Sequence, residues 1–208
     1  MNKPERAILA TSNKNKVKEV QEILKDFDIP VVTMKEAGIE TDIVEDGTTF
    51  EENALIKARA VWKISGGMVL SDDSGLEVDA LSKEPGIHSS RYLGEDTPYH
   101  VKNQNIIERL EGVTGDDRSA RFVCAVAAVF PDGTEKTVRG VMEGFIGFEE
   151  KGENGFGYDP IFILPKYGKT TAELPPEVKN AESHRGQALR MMRDIIEEMI
   201  DGSRGEKE

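Results

Sequence analysis

The side chains with the clearest chemical potential in this sequence are the neighbours Asp72, Asp73 and Ser74. They follow the apolar residues 68–70, which predict a buried strand that ends at the carboxylates. Charged groups are costly to bury unless they are paired or bind a metal, so this position indicates an acid/base or metal site. Asp-Ser-Gly is also common turn chemistry, and this stretch alone does not decide between the two interpretations.

A second polar stretch lies near the N-terminus, between a predicted strand over residues 7–10 and a predicted helix. The helix is indicated by apolar residues at helical spacing, from Val17 to Phe27. The stretch between them consists of Thr11, Ser12, Asn13, Lys14, Asn15 and Lys16. A helix N-terminus favours phosphate, and two lysines there oppose the helix dipole, so we favour an anion site. Plain capping of the helix is the competing interpretation.

The next helix should begin at Thr49, because Thr49 and Glu52 have the spacing of a capping box. Lys57 lies on this helix and could reach a pocket or face solvent, and solvent is the default for a lone lysine. The preceding loop, residues 35–48, contains Glu45 among other acidic residues and is typical of solvated surface.

The C-terminal half predicts two long strands and one long helix. Residues 118–130 are apolar enough for burial on both faces, and the turn 131–133 leads into a partner strand over 134–148. Two prolines at 175 and 176 interrupt the chain before a helix over 183–200. Residues 201–208 are predicted to be a disordered tail.

Composition excludes several classes of protein. The chain has 208 residues and a formal net charge of -12, which argues against a nucleic-acid-binding surface. The single cysteine, Cys124, lies in an apolar run, so we expect a core thiol and a reducing compartment. The three histidines are scattered and form no zinc-type pattern. Without a predicted signal peptide or membrane span, we expect a cytoplasmic protein with no membrane partner.

Several separated polar clusters follow predicted strands or precede predicted helices. They are residues 11–16, Glu45, residues 72–74, residues 156–159, Lys179 and residues 183–185. Together they offer cations for phosphates, carboxylates for a divalent metal and an aromatic ring for a base, which is the inventory of a nucleoside triphosphate site.

The sequence resembles the inosine triphosphatase family, whose members are also called dITP/XTP pyrophosphatases. The matching motifs are residues 10–16, 49–50 with 52–54 and 57–58, 71–76, 85–86 with 91–92, 155–162, 169–170 with 172–174, and 183–189. Each motif is weak by itself, but their order and their spread over nearly the whole chain are specific. One mild departure is Ser12, which stands where many members have glycine.

The resemblance implies an α/β fold: a long twisted mixed sheet flanked by helices, forming two lobes with a central cleft. Residues 1–200 would form this single domain, within a homodimer. The implied reaction is Mg²⁺-dependent hydrolysis of ITP, dITP or XTP to the monophosphate and pyrophosphate, which would cleanse the nucleotide pool of deaminated purines.

The resemblance also implies roles for individual residues. Asp73 would be the general base and a metal ligand, and Glu45 the second metal ligand. The implied substrate contacts are Thr11, Ser12, Asn13, Lys14, Asn15, Lys16, Lys57, Ser74, Phe156, Gly157, Tyr158, Asp159, Lys179, His184 and Arg185.

Elementary chemistry supports several of these roles. Neighbouring side chains of a strand face opposite sides, so we predict that Asp73 reacts and that Asp72 supports it. Phe156 can stack on a purine. Arg185, at a predicted helix start, offers N–H donors to an O6 keto group, where adenine presents an amine. Buried donors left unpaired by the wrong base can discriminate strongly.

Two other functions compete with this one. A related pyrophosphatase of the Maf type would act on modified pyrimidine nucleotides, and a purine panel against a pyrimidine panel separates the two. A non-catalytic nucleotide-binding protein would need no base at Asp73, and pyrophosphate release with and without Mg²⁺ tests for it.

Overall fold

The computed structural model describes residues 3–202, whose strands form one seven-stranded sheet in the order β2-β1-β3-β4-β5-β6-β7. The strands are β1 (Ala7–Leu9), β2 (Val31–Thr33), β3 (Met68–Val78), β4 (Ser119–Val129), β5 (Glu135–Ile146), β6 (Phe162–Leu164) and β7 (Lys169–Thr170). The α-helices are α1 (Lys14–Ile23), α2 (Phe50–Ser65), α3 (Tyr99–Arg109), α4 (Pro176–Glu182) and α5 (His184–Gly202).

The sheet is mixed, as predicted. β1 pairs in parallel with β2 and with β3, in a register that places Leu9 opposite Leu70. β6 pairs antiparallel with β5 and with β7. Parallel neighbours need a crossover connection, and α1 supplies the one between β1 and β2. The α/β fold class is therefore confirmed.

The described chain divides into two compact units. The first unit contains the described residues up to Asp73, then Cys124–Gly140, and the described residues from Arg185 onward. The second unit contains Ser74–Val123 and Val141–His184.

The first unit has a core made from strands β1, β3 and β4 and from one face each of α1 and α5. The predicted apolar stripe lies in this core, with Val20 of α1 buried and Leu24 and Phe27, which follow the end of α1 at Ile23, buried as well. Cys124 is also fully buried there, as expected for a core thiol. Since these residues recur at helical or strand spacing, the sequence pattern alone was sufficient to place them.

The second unit has its own apolar core, and a buried arginine lies beside it. Arg118 is 3% exposed. Its guanidinium donates to four backbone carbonyl oxygens: Ile146 at 2.7 Å, Leu110 at 3.0 Å, Val113 at 3.1 Å and Gly147 at 2.6 Å. One side chain therefore satisfies carbonyl groups from the end of α3 and from the end of β5.

The largest difference from the sequence prediction is in β3. The strand does not end at the carboxylates but runs without a break to Val78, so the turn interpretation of Asp-Ser-Gly is wrong. β1 is the strand that stops here, at Leu9 opposite Leu70. β3 continues as the sheet neighbour of β4, and Ser71 Oγ donates to the carbonyl of Ala54 in α2. Tertiary pairing therefore overrides the local turn preference.

Smaller differences occur near the C-terminus. Pro176 does not merely interrupt the chain but begins α4, since proline is well suited to the first position of a helix. α5 extends through Gly202, two residues into the predicted tail, and positions 203–208 lie outside the described residues. Within residues 3–202, every helix is too short or too polar to cross a membrane.

The fold predicts that Arg118 contributes strongly to stability. Arg118→Met should lower the free energy of unfolding by about 3 kcal/mol or more, because each buried acceptor left unpaired costs roughly 1–3 kcal/mol. The matched control is Arg59→Met, which breaks a surface pair with Glu135 and should cost about 1 kcal/mol or less. Chemical denaturation measures both, and equal losses in the two variants would contradict the prediction.

Candidate active site

Asp72 and Asp73 face opposite sides of β3, as strand alternation predicts. Asp73 contacts side chains of α2, whereas Asp72 contacts side chains of α1 and α5. Both carboxylates are buried, with exposed fractions of 1% for Asp72 and 7% for Asp73. Each therefore needs its own partners, and the partners differ in kind.

Asp73 is held by an amide and an ammonium group. Asn53 Nδ2 donates to Asp73 Oδ2 at 3.2 Å, and Lys57 Nζ lies 3.4 Å from Asp73 Oδ1. Lys57 Nζ also pairs with Glu45 Oε2 at 2.5 Å. Two carboxylate oxygens from distant parts of the chain thus converge on one ammonium group. Lys57 is only 7% exposed, so the default expectation that it faces solvent is wrong.

The start of α2 positions these groups. Thr49 caps the helix by accepting from the Glu52 N–H, as predicted, while the Glu52 carboxylate accepts from Thr48. One turn into the helix, Asn53 Oδ1 accepts from the Gly47 N–H at 2.9 Å. A Cβ at Gly47 would lie 2.7 Å from that oxygen, so glycine is required for the loop carrying Glu45 to approach α2.

The environment raises the pKa of both Asp73 and Lys57, which disfavours the charged form of Asp73 and favours that of Lys57. Burial raises the pKa of Asp73, and the opposing attraction of Lys57 does not cancel this effect. Burial alone would lower the pKa of Lys57, but the charges of Asp73, Asp72 and Glu45 raise it above its usual value. The site therefore contains a permanent ammonium beside a carboxylate with increased affinity for a proton.

Asp72 has cationic partners on the other face of β3. Its Oδ2 lies 3.0 Å from Lys16 Nζ and 3.3 Å from both Nε and Nη2 of Arg185. Arg185 Nη1 donates in turn to Glu19. Burial would raise the pKa of Asp72, but Lys16 and Arg185 lower it far below its usual value. Asp72 therefore stays charged and links α1, β3 and α5.

Arg185 lies in the first turn of α5, near a helix start as predicted, and it is 3% exposed. Nε, Nη1 and Nη2 of Arg185 each donate to a carboxylate. The sequence indicated the donors of Arg185 but not the carboxylates that engage them.

The polar stretch before α1 adopts the capping arrangement. Asn13 Oδ1 accepts from the N–H groups of Asn15 and Lys16, at 3.0 and 3.3 Å, and Thr11 Oγ1 accepts from the Asn13 N–H. Ser12, Lys14 and Asn15 are exposed. The capping interpretation therefore holds for these groups, and phosphate binding by the stretch stays a prediction.

The predicted base-binding residues belong to the second unit and are arranged around Asp159. Its Oδ2 accepts from the Phe156 N–H at 2.8 Å and from Lys179 Nζ at 2.6 Å, while Oδ1 accepts from Thr171 Oγ1 at 2.8 Å. Lys179 Nζ lies 5.2 Å from the centroid of the Phe156 ring. The single carboxylate of Asp159 thus fixes three groups relative to one another: the Phe156 N–H, the Lys179 ammonium and the Thr171 hydroxyl.

The remaining predicted residues differ in their contacts, conformation and burial, and they are Tyr158, Gly157, His184 and Ser74. Tyr158 is 4% exposed and donates to the Ser89 carbonyl at 2.7 Å. Gly157 has a φ of 69°, a conformation that favours glycine. His184 stacks on Phe122 with ring centroids 4.9 Å apart, and Ser74 is half-buried in β3.

Sequence reasoning missed three residues that hold the predicted ones. Asn53 holds Asp73, Glu19 pairs with Arg185, and Thr171 bonds to Asp159. A partial signal existed for Asn53, which falls within a matching motif. Glu19 and Thr171 carry no local pattern, because their roles depend on partners far away in the sequence.

The fold and the first-unit cluster define an α/β protein with two adjacent buried carboxylates, each beside a lysine. The sequence profile of the Ham1 family matches residues 7–195, and the chain belongs to that family. The resemblance found in the sequence is thereby confirmed.

Relatives with similar sequences carry a consistent name. The dITP/XTP pyrophosphatase of Clostridium perfringens is 45% identical over 199 residues, covering 93% of this chain and 98% of that protein. The dITP/XTP pyrophosphatase of Bacillus subtilis is 46% identical over 191 residues, covering 92% and 96%.

Solved structures show the same fold. A HAM1 protein from Coxiella burnetii aligns with a TM-score of 0.84 at 44% identity, covering 93% of this chain and 98% of that one. The Ham1 protein of Staphylococcus aureus aligns with a TM-score of 0.83 at 40% identity, covering 92% and 98%.

The opposite surroundings of the two aspartates predict opposite effects on stability. At pH 7, Asp72→Asn should lower the free energy of unfolding by about 3 kcal/mol, because it leaves buried cations without their carboxylate. Asp73→Asn should leave stability unchanged or increase it, because burial disfavours that charge. Chemical denaturation of both variants measures the difference, and a larger loss in Asp73→Asn would contradict it.

The pH dependence of the free energy of unfolding gives an independent check on the opposite effects of Asp72 and Asp73. The lowered pKa of Asp72 means that its stabilisation is present above the ordinary value of 3.8 and is lost only as pH falls towards the native value. The raised pKa of Asp73 means that its destabilising charge disappears while pH is still above 3.8. On acidification, the Asp73→Asn curve should therefore meet the wild-type curve at a higher pH than the Asp72→Asn curve does.

Proposed function

We propose that this protein hydrolyses deaminated purine nucleoside triphosphates, namely ITP, dITP and XTP, to the monophosphate and pyrophosphate. The proposal rests on family membership together with one observation: a buried carboxylate of raised pKa, Asp73, lies beside the ammonium of Lys57. Removing these nucleotides would keep them from polymerases. A pure binding protein would gain nothing from a buried base, and the names of the relatives favour purine over pyrimidine substrates.

Asp73 is the proposed general base. A carboxylate accepts a proton from water more readily when its pKa is raised towards the operating pH. Asn53 holds one oxygen of Asp73 and so fixes the orientation of the carboxylate. Lys57, and Lys16 on the other face of the strand, are proposed to neutralise charge on the phosphates.

Glu45 and Asp73 are proposed to hold Mg²⁺. Their oxygens converge on one cationic position, now marked by the Lys57 ammonium, and Mg²⁺ prefers hard oxygen ligands of this type. Residues 3–202 contain no group of three or more potential metal-ligating side chains, so water and phosphate oxygens would complete the shell. When bound, the ion would supply positive charge against the phosphate oxygens.

The second unit is proposed to recognise the base. Phe156 offers a ring for stacking, and Lys179 lies over that ring with its charge compensated by Asp159. His184 and Arg185 are proposed to contact base and sugar, and residues 11–16 to contact phosphate. We also propose a homodimer, as the family resemblance implies, and a cytoplasmic location, as the sequence analysis expects.

The first test concerns the products. Incubation with ITP and Mg²⁺ should yield IMP and pyrophosphate, because cleavage is proposed between the α- and β-phosphates. Chromatography distinguishes these products from IDP and orthophosphate, and the latter pair would refute the proposal. ATP and a pyrimidine panel serve as controls and should be turned over more slowly.

The second test concerns the base. Asp73→Asn should lower ITP turnover at saturating Mg²⁺ by roughly 10³–10⁴, near the upper end for loss of a general base, because a metal ligand is lost as well. Asp72→Asn is the neighbouring control and should lose less turnover in its folded fraction, since its side chain faces away from Asn53 and Lys57. A dead Asp72→Asn beside an active, folded Asp73→Asn would reverse the assignment.

A further inference from the structure

One buried hydroxyl in the second unit connects to the proposed base-binding residues without belonging to them. Thr171 is fully buried, and its Oγ1 lies 2.8 Å from Asp159 Oδ1 and 3.1 Å from the Asp159 carbonyl. A hydroxyl has a single proton to donate, and the shorter contact is the one to the carboxylate. Thr171 therefore holds one of the two oxygens of the Asp159 carboxylate.

The orientation of Asp159 fixes two other groups. Its second oxygen accepts from the Phe156 N–H at 2.8 Å and from the Lys179 ammonium at 2.6 Å. The terminal torsion of an aspartate is broad, so a carboxylate held at one oxygen only can rotate. If Asp159 rotated, the separation of 5.2 Å between the Lys179 ammonium and the Phe156 ring would no longer be fixed.

The backbone approaches the second oxygen of Asp159 closely at Gly155. A Cβ at Gly155 would lie 2.2 Å from Asp159 Oδ2 and 3.2 Å from Lys179 Nζ. Gly155 also has a φ of 74°, which favours glycine. The chain thus approaches the carboxylate closely on this side, while Thr171 bonds to its other oxygen.

We propose that Thr171 is a positioning residue for base recognition, acting through Asp159 on the ring of Phe156 and the ammonium of Lys179. The inference rests on the proposed function, in which these two groups contact the purine. Thr171, which is not itself a proposed substrate contact, would thereby influence which base is selected.

The test compares three full-length variants. Thr171→Val keeps the size and removes the hydroxyl, Thr171→Ser keeps the hydroxyl, and Thr170→Val is the matched control. Thr170 is equally buried, but its hydroxyl donates to the Lys151 carbonyl at 2.7 Å. The values of kcat and KM for ITP and ATP are measured well below each melting temperature.

Thr171→Val should raise KM for ITP about three- to tenfold with little change in kcat, the size expected for one hydrogen bond that acts on binding alone. Its preference for ITP over ATP should fall by a similar factor, and Thr171→Ser should restore both values. Thr170→Val should keep the wild-type preference, because a merely structural loss lowers the melting temperature without changing which base is preferred.

An unchanged preference in Thr171→Val, or an equal change in Thr170→Val, would overturn the inference. If Thr171→Val does not fold, Thr171→Ala replaces it, and binding of IMP against AMP by calorimetry replaces turnover. Failure of the proposed function has a different outcome, since wild-type protein would then release no pyrophosphate from ITP.

Discussion

Two adjacent carboxylates in the interior of one buried strand are the constraint on which the first unit depends. β3 runs unbroken past Asp72 and Asp73, and its alternation sends the two side chains to opposite faces. The two carboxylates have different direct partners, so each face supplies its own donors. The neighbouring helices supply them, and the cost of burying charge thereby determines how several distant segments are arranged.

The two faces of β3 compensate their carboxylates to different degrees, so Asp72 and Asp73 differ in their pKa values. Asp72 lies between Lys16 and Arg185 and has a strongly lowered pKa, so it acts as a permanent charge that connects three elements. Asp73 has one amide and one ammonium that is shared with Glu45, and burial raises its pKa. A carboxylate with incomplete compensation is the one suited to take a proton.

In the second unit, too, a buried carboxylate is compensated by several donors. Asp159 is buried and bonds to a backbone N–H, an ammonium and a hydroxyl. Its role in the described structure is to hold Phe156 and Lys179 in place. Fixing groups before a ligand arrives reduces the entropy lost on binding, so such a carboxylate can influence recognition without touching the ligand.

The sequence by itself determined the elements whose residues repeat at a regular spacing and the polar residue types that follow them. The stripe of α1, the double-sided burial of β4 and the start of α5 followed from periodicity, and the motif order identified the family. Only the tertiary structure decided that β3 continues through a turn-like sequence, that Lys57 is buried, and that Arg185 pairs with Asp72 and Glu19. The physical reason is that pairing in a sheet and desolvation of charges depend on partners tens of residues away, which no local pattern records.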